Sequence, residues 1–94
     1  MTELIKLPPS MDLVAAPILL ENILEKKGYD IELDASNVQH LGGQCLQILL
    51  AARAAWKDNN HTFEIKNPSE EFVEYLKIMG LILDDLKNIE QRGQ

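Results

Sequence analysis

The apolar residues of the chain follow two different periods, and the changes between them predict alternating strands and helices. Apolar residues tend to alternate over residues 2–7, 29–35 and 62–66, which predicts three strands. They recur every three or four positions over residues 16–27 and 44–57, which predicts two helices. The chain is therefore expected to begin as strand, helix, strand, helix, strand.

Turn and capping residues predict two more helices in the last third of the chain. Ser69 is a good N-cap, and acidic residues follow it in the first turn. That helix is expected to end before Gly80, and a last short helix is expected to carry Ile82, Leu86 and Ile89. The order β-α-β-α-β-α-α predicts an α/β fold whose strands pair in parallel through right-handed crossovers.

The same pattern defines the expected core. Leu4 is expected to be the inward residue of the first strand, and the second helix is expected to be buried over more than half of its girth. The first helix has a stripe made of Ala16, Leu19, Leu20, Ile23 and Leu24. The predicted core residues are Leu33, Leu46, Leu49, Leu50, Phe63, Ile65, Leu76 and Leu81.

Length and composition limit the class of protein. The 94 residues are expected to form a single domain, residues 1–94. The one cysteine excludes an internal disulfide and fits a reducing compartment. No apolar run approaches the roughly 20 residues of a membrane span, and the first residues lack the apolar stretch of a signal peptide. We therefore expect a cytoplasmic protein that does not insert into the membrane.

The charge balance argues against a nucleic-acid partner. The chain has 9 Lys and Arg against 15 Asp and Glu, a net charge of −6. Its largest basic cluster is Lys26-Lys27, whereas a nucleic-acid binder normally carries a basic face that neutralises phosphates. DNA, RNA and anionic membrane surfaces are therefore poor candidates for direct partners.

Few side chains in the sequence are suited to catalysis or to metal binding. His40 and His61 have no Cys or His neighbour at the spacing of metal ligands, so no metal site is expected. Cys45 lies in the apolar stripe of a helix, where a buried core thiol is the expectation. Glu32 and Asp34 share one face of a strand, where they are expected either to be solvated or to cap the end of the strand. These residues predict a protein that is not an enzyme and needs no cofactor.

Two adjacent glycines stand before the second helix. Gly42-Gly43 is too short for a phosphate-binding loop, and no Gly-Lys pair follows it. A tight turn that allows the close approach of another backbone is the expected use of these glycines. A small, acidic, noncatalytic domain of this kind is expected to act by binding another protein.

Several stretches, taken in order, resemble the STAS domain of anti-sigma factor antagonists, transporter tails and signalling proteins. They are residues 33–38 (LDASNV), the turn at 42–43, and Leu46-x-x-Leu49-Leu50. The later stretches Asn67-Pro68-Ser69 and Leu76-x-x-Met79-Gly80-Leu81 fit as well, so the resemblance runs from Leu4 to about Ile89. It implies a mixed β-sheet with the helices packed on one side.

A narrower resemblance lies in the second helix. The run CLQILLAAR at residues 45–53, followed by Trp56, is similar to small stand-alone STAS proteins of alphaproteobacterial chemotaxis operons, the CheS-like group. That group implies binding to a CheA-type histidine kinase and modulation of its phosphotransfer. Two alternatives stay open, an accessory subunit of a lipid ABC transporter and a regulator like the anti-sigma factor antagonists.

The sequence departs from the family pattern at the phosphorylation site. The phosphorylatable serine of the family falls on Gly43 and the preceding aspartate on Gly42, so no phosphorylation is expected there. In the family, partners dock on the loop before the second helix and on the first turn of that helix. The resemblance therefore implies a partner-binding surface made of Gln39, His40, Gly42, Gly43, Gln44 and Gln47.

Overall fold

The computed structural model describes residues 2–86 and places five strands and three α-helices in that range. The strands are β1 (Thr2–Lys6), β2 (Ser10–Met11), β3 (Asp30–Asp34), β4 (His40–Leu41) and β5 (Phe63–Lys66). The helices are α1 (Ala15–Glu25), α2 (Gly43–Asp58) and α3 (Glu70–Ile78), and a short 3₁₀ helix follows at Leu83–Leu86. The α/β fold class is confirmed.

Three strands form the central sheet, in the order β1-β3-β5. Both pairings are parallel, with Ile5 opposite Leu33 and Leu33 opposite Ile65. The expected mixed sheet differs in this detail, because all strand pairs in residues 2–86 run parallel. Each parallel pair is joined through a helix, as such pairs require a crossover connection.

The two faces of the central sheet differ in chemistry. One face carries Ile5, Ile31, Leu33, Phe63 and Ile65, all of them buried. The buried residues of the three helices join this apolar face in one cluster, so the helices lie on one side of the sheet, as expected. The partly exposed opposite face places charges in register, since Asp34 pairs with Lys6 on one side and Lys66 on the other.

Most of the predicted core residues are buried, and one expectation on the first strand is wrong. Leu4 is 59% exposed, whereas its neighbour Ile5 is buried. Leu4 lies opposite Glu32 on the polar face, because the strand places successive side chains on opposite faces. Leu50 and Leu81 are only partly buried and pack against the edge of the core.

The first helix buries a narrower face than its apolar pattern suggests. Ala16, Leu19 and Ile23 are buried, whereas Leu20 and Leu24 are exposed. The helix also has an N-terminal cap, since the Asp12 carboxylate accepts hydrogen bonds from the backbone N–H groups of Val14 and Ala15, at 3.1 and 3.0 Å. Asp12 thereby satisfies N–H groups that have no partner inside the helix.

The last third of the chain follows the prediction up to the end of α3. The Ser69 hydroxyl accepts a hydrogen bond from the Phe72 N–H at 3.0 Å, which confirms the predicted N-cap. The last helix is a single 3₁₀ turn in the described range, with Leu86 buried, and Ile89 lies outside the described residues. In residues 2–86 no helix combines the length and the hydrophobicity that crossing a membrane demands.

Candidate partner-binding site

A second, two-stranded sheet holds the turn before α2. Strands β2 and β4 pair in parallel, with Ser10 opposite His40 and Met11 opposite Leu41. Each strand has only two residues, which is too short for a periodic pattern, so the sequence did not reveal this β2–β4 ladder. The ladder follows the carboxyl ends of β1 and β3, the edge where open parallel sheets usually bind ligands.

Another part of the backbone approaches Gly42 closely. Its N–H donates to the Met11 carbonyl at 2.8 Å, and a Cβ at this position would lie only 3.1 Å from the same oxygen. Gly42 is also the N-cap of α2, and its carbonyl accepts from the Leu46 N–H at 3.1 Å. The approaching backbone that the sequence predicted is thus the chain's own strand β2.

Gly43 differs from its neighbour, because no heavy atom would lie within 4 Å of a Cβ at this position. Gly43 is exposed, is the first residue of α2 and does not have a positive φ. Neither packing nor backbone conformation therefore requires a glycine there. The first N–H groups of α2 have no acceptor within the helix and are available to a partner.

The segment between β1 and α1 holds the candidate site in place. The Pro9 carbonyl accepts from the N–H groups of Gln39 and His40, at 2.7 and 3.0 Å. The Asp12 carbonyl accepts from the Ala16 N–H at 3.1 Å and from the Cys45 thiol at 3.4 Å. Asp12 therefore links the first turns of α1 and α2. Its position shortly before an apolar helix was the available signal, since Asp commonly caps helices.

His40 faces α3. Its Nδ1 lies 3.1 Å from the Tyr75 hydroxyl, and the two rings meet edge to face with centroids 5.1 Å apart. His40 Nε2 also lies 3.8 Å from the position that a Cβ on Gly42 would take, so the ring covers that glycine. Tyr75 thus belongs to the site, although no sequence motif marked it.

The predicted glutamines lie on the other side of the turn. Gln44 and Gln47 are exposed and line a depression between α2 and the Leu20–Leu24 part of α1. The six predicted residues are therefore continuous around the N-terminus of α2 but face two neighbours. His40 is directed toward α3, and the two glutamines are directed toward α1.

The titratable groups near the turn do not form a catalytic set. Burial raises the pKa of the Cys45 thiol, and the nearby Asp12 charge acts in the same direction, so Cys45 is disfavoured as a thiolate. The hydrogen bond from the Ser36 N–H, at 3.0 Å, lowers the pKa of Asp34 and turns this carboxylate into a cap for the turn after β3. In residues 2–86 no cluster of His, Cys, Asp and Glu has the arrangement of a metal site.

A comparison with protein families identifies this arrangement. The family model described as "Mlab, STAS domain" matches residues 5–85, which include the end of β1, the other four strands and the three α-helices of the described range. The chain belongs to the STAS domain family. STAS domains are generally non-enzymatic modules that bind protein partners. Searches of curated proteins and of solved structures found no match.

Proposed function

We propose that this STAS domain is a cytoplasmic signalling module that binds a CheA-type histidine kinase and modulates its phosphotransfer. The chain acts as one domain without catalysis, in the manner of the CheS-like group. The surface that contacts the kinase consists of Gln39, His40, Gly42, Gly43, Gln44 and Gln47, and is here called the docking turn.

The open space at Gly43 is the observation that carries this proposal. The docking turn exposes backbone and has no bulky side chain at Gly43, so a partner is able to approach the first turn of α2 closely. The β2–β4 ladder fixes the turn on one side, and the contact between His40 and Tyr75 fixes it on the other. A surface held in this way requires little ordering when a partner binds.

The glycine at position 43 also removes the phosphorylation switch that is usual in the family. A phosphate on the family serine would add about two negative charges to the N-terminus of this helix. Gly43 has no hydroxyl, so binding is regulated without phosphorylation at this position. Ser69 is a poor substitute as a phosphorylation site, because its hydroxyl is used twice, as donor to the Val38 carbonyl and as acceptor from the Phe72 N–H.

Gly43→Glu tests the docking turn. The acidic side chain has room in the free protein and suits the first turn of a helix, so the fold is expected to survive. Binding to the kinase is expected to weaken at least about tenfold, or about 1.4 kcal/mol, through steric block and desolvation of the charge. Titration calorimetry with a purified CheA-type kinase measures this change. Gly43→Ala is the matched control, and a stable Gly43→Glu variant that binds at full affinity would place the docking surface elsewhere.

Intact mass measurement tests the absence of a phosphorylation switch. After incubation with candidate kinases and ATP, the mass of the protein is expected to stay unchanged. One added phosphate mapped to Ser36 or Ser69 would contradict this part of the proposal.

A second candidate is an accessory subunit of a lipid ABC transporter. The matching family carries the description "Mlab, STAS domain", which does not single out chemotaxis. Binding to a transporter ATPase in the same titration, with none to the kinase, would favour this candidate. Neighbouring genes offer a second test, since chemotaxis genes support the first proposal and a permease–ATPase pair supports the second.

A further inference from the structure

An apolar groove with acidic flanks runs between α1 and α2, next to the docking turn. Leu20 and Leu24 of α1 form one wall, and Ile48, Ala51 and Ala55 of α2 form the other. Toward the start of α1 the groove continues past Pro17 to Leu13, which is 72% exposed. We call this surface the α1–α2 groove.

One side of α1 carries an apolar stripe that the core does not use. Pro17, Leu20 and Leu24 follow one another at helical spacing and are exposed, and the exposed Leu13 lies in the turn just before the helix. They lie beside the buried stripe of Ala16, Leu19 and Ile23, so α1 presents two apolar faces, one toward the core and one toward solvent. Contiguous apolar surface of this kind on a small protein marks an interaction site.

The charges beside the groove are mainly acidic. Glu21 lies one helical turn from both Pro17 and Leu24, and Asp58 lies one turn beyond Ala55 at the end of α2. α1 contains no Lys or Arg, although Lys27 follows its end, one turn beyond Leu24. The two cations of α2, Arg53 and Lys57, lie on the side of that helix away from Ala51. An occupant that carries cations on both sides of an apolar stripe would therefore be attracted, and an acidic one would be repelled.

The two helices that form the walls of the groove favour one backbone conformation for a peptide that binds there. Both walls are helices, whose backbone N–H and C=O groups bond internally except at the ends. An extended peptide in the groove would therefore find few backbone partners on either wall. A helix satisfies its backbone internally. The groove follows α2 from Gln44 to Trp56, about 18 Å, which accommodates three turns of helix.

A second copy of this chain fits the charges poorly. Its own groove has the same acidic flanks, and each copy has a net charge of −6, so two such grooves would repel one another. We propose that the α1–α2 groove binds a basic amphipathic helix of a partner protein, apolar stripe inward and cations against the acidic flanks. This proposal shares one premise with the proposed function, namely that the chain acts by binding a protein. It specifies the type of helix that binds and does not depend on which protein carries that helix.

Model peptides test the groove directly. The probe is a peptide of about 14 residues with Leu at helical i, i+3, i+4, i+7 spacing and Lys at the remaining positions. One control peptide keeps the leucines and replaces Lys by Glu, and another scrambles the same Leu and Lys residues. The Leu/Lys peptide is expected to bind, to shift the backbone NMR signals of α1 and the Ala51 side of α2, and to bind more weakly as salt rises. Equal binding of either control peptide would overturn the proposal.

Two matched variants of α2 locate the binding. Ala51→Arg places a cation in the groove, and Ala54→Arg makes the same charge change at an exposed position outside it. Ala51→Arg is expected to weaken peptide binding at least about tenfold and Ala54→Arg less than about twofold. Equal effects would overturn the proposal. If Ala51→Arg lowers the melting temperature, Ala55→Arg replaces it against the same control.

The same variants separate this inference from the docking turn. If Gly43→Glu weakens kinase binding while Ala51→Arg leaves peptide binding intact, the groove proposal fails and the docking turn stands. If Ala51→Arg abolishes peptide binding, the groove proposal stands, whether or not the protein binds the kinase. Sedimentation that shows a dimer, dissociated by Ala51→Arg, would assign the groove to a second copy and overturn the proposal.

Discussion

The central sheet and the β2–β4 ladder lie end to end in the molecule and are stabilised in different ways. The sheet is covered on one face by three helices and buries Ile31, Leu33 and Phe63 completely. The ladder has two residues in each strand, and of these Met11 and Leu41 are buried while Ser10 and His40 are exposed. The sheet thus depends mainly on packing, whereas the ladder combines the core packing of Met11 and Leu41 with hydrogen bonds and one close backbone contact.

This difference separates the stability of the whole chain from the position of the docking turn. Removing apolar volume beneath the sheet should destabilise the whole chain, because the core is one cluster. Disturbing the ladder should mainly displace the docking turn, because Gly42 and the Pro9 carbonyl hold that turn locally. The expected effects decrease from the core to the ladder and then to the polar end of the sheet.

Leu49→Ala is expected to have the largest effect. Leu49 is completely buried on α2, so the variant loses transfer free energy and leaves a cavity, a cost of about 2–5 kcal/mol. Urea unfolding measures this loss. Ile78→Ala is the control, since Ile78 is 73% exposed on α3 and should change the free energy of unfolding by less than about 0.5 kcal/mol. Equal effects would mean that α2 buries a different face.

Gly42→Ala and Gly43→Ala are expected to change the free energy of unfolding in opposite directions. The Cβ at position 42 would press on the Met11 carbonyl, and the shift that relieves it should cost about 1–3 kcal/mol. The Cβ at position 43 meets nothing within 4 Å, so alanine should stabilise by about 0.4–1 kcal/mol through the unfolded state. Thermal unfolding of both variants tests this contrast. If Gly43→Ala destabilised the protein and Gly42→Ala did not, the close contact would lie at Gly43 and the open position at Gly42.

Ser69→Ala probes the link between the two regions. The Ser69 hydroxyl caps α3 and also donates to the Val38 carbonyl just before β4. Loss of the cap should cost about 1 kcal/mol. Amide hydrogen exchange should also accelerate at His40 and Gly42, because the segment that leads into the ladder loses one anchor. Ser69→Asp is the control, because its carboxylate caps α3 but cannot donate a hydrogen bond to the Val38 carbonyl. If Ser69→Asp exchanged as slowly as the native chain at His40 and Gly42, the hydrogen bond to Val38 would not be the anchor.

The smallest effect is expected at the opposite end of the sheet, at Asp30. The hydrogen bond from the Thr62 N–H, at 2.8 Å, and the contact with His61 lower the pKa of Asp30 in the folded state. A folded-state pKa below the unfolded value stabilises the fold above the unfolded pKa of about 3.9, and this stabilisation is lost as pH falls through the folded pKa. The melting temperature of Asp30→Asn should therefore fall less between about pH 5 and pH 2 than that of the native chain. Parallel pH profiles would show that the charge at Asp30 has no stabilising role.

The sequence predicted the central region well, because its elements are long enough to show a period. The β3 residues Ile31 and Leu33 alternate, and α2 has a clear stripe that includes Leu46 and Leu49. The phase of β1 could not be determined in this way. Leu4 and Ile5 are adjacent apolar residues, and only the pairing with β3 places Ile5 inside.

The local structure of the candidate site could be predicted only in part, and for a different reason. The resemblance indicated the residues around Gly42, but the parts that hold them in place come from distant positions. Pro9 and Met11 contribute backbone carbonyls, and any residue type could offer such a group. Tyr75 reaches His40 across 35 positions of the chain. Contacts of this kind follow from the fold and leave no local pattern in the sequence.

Cys45 gives the molecule a built-in reporter of local opening. It is the one thiol of the chain, it is completely buried, and it lies in the first turn of α2 with its sulfur against the Asp12 carbonyl. A thiol reagent should therefore modify the protein only when the packing of the first turns of α1 and α2 is transiently released. The labelling rate then gives the free energy of that opening, and a partner that seals the docking turn should slow the labelling without touching the sulfur.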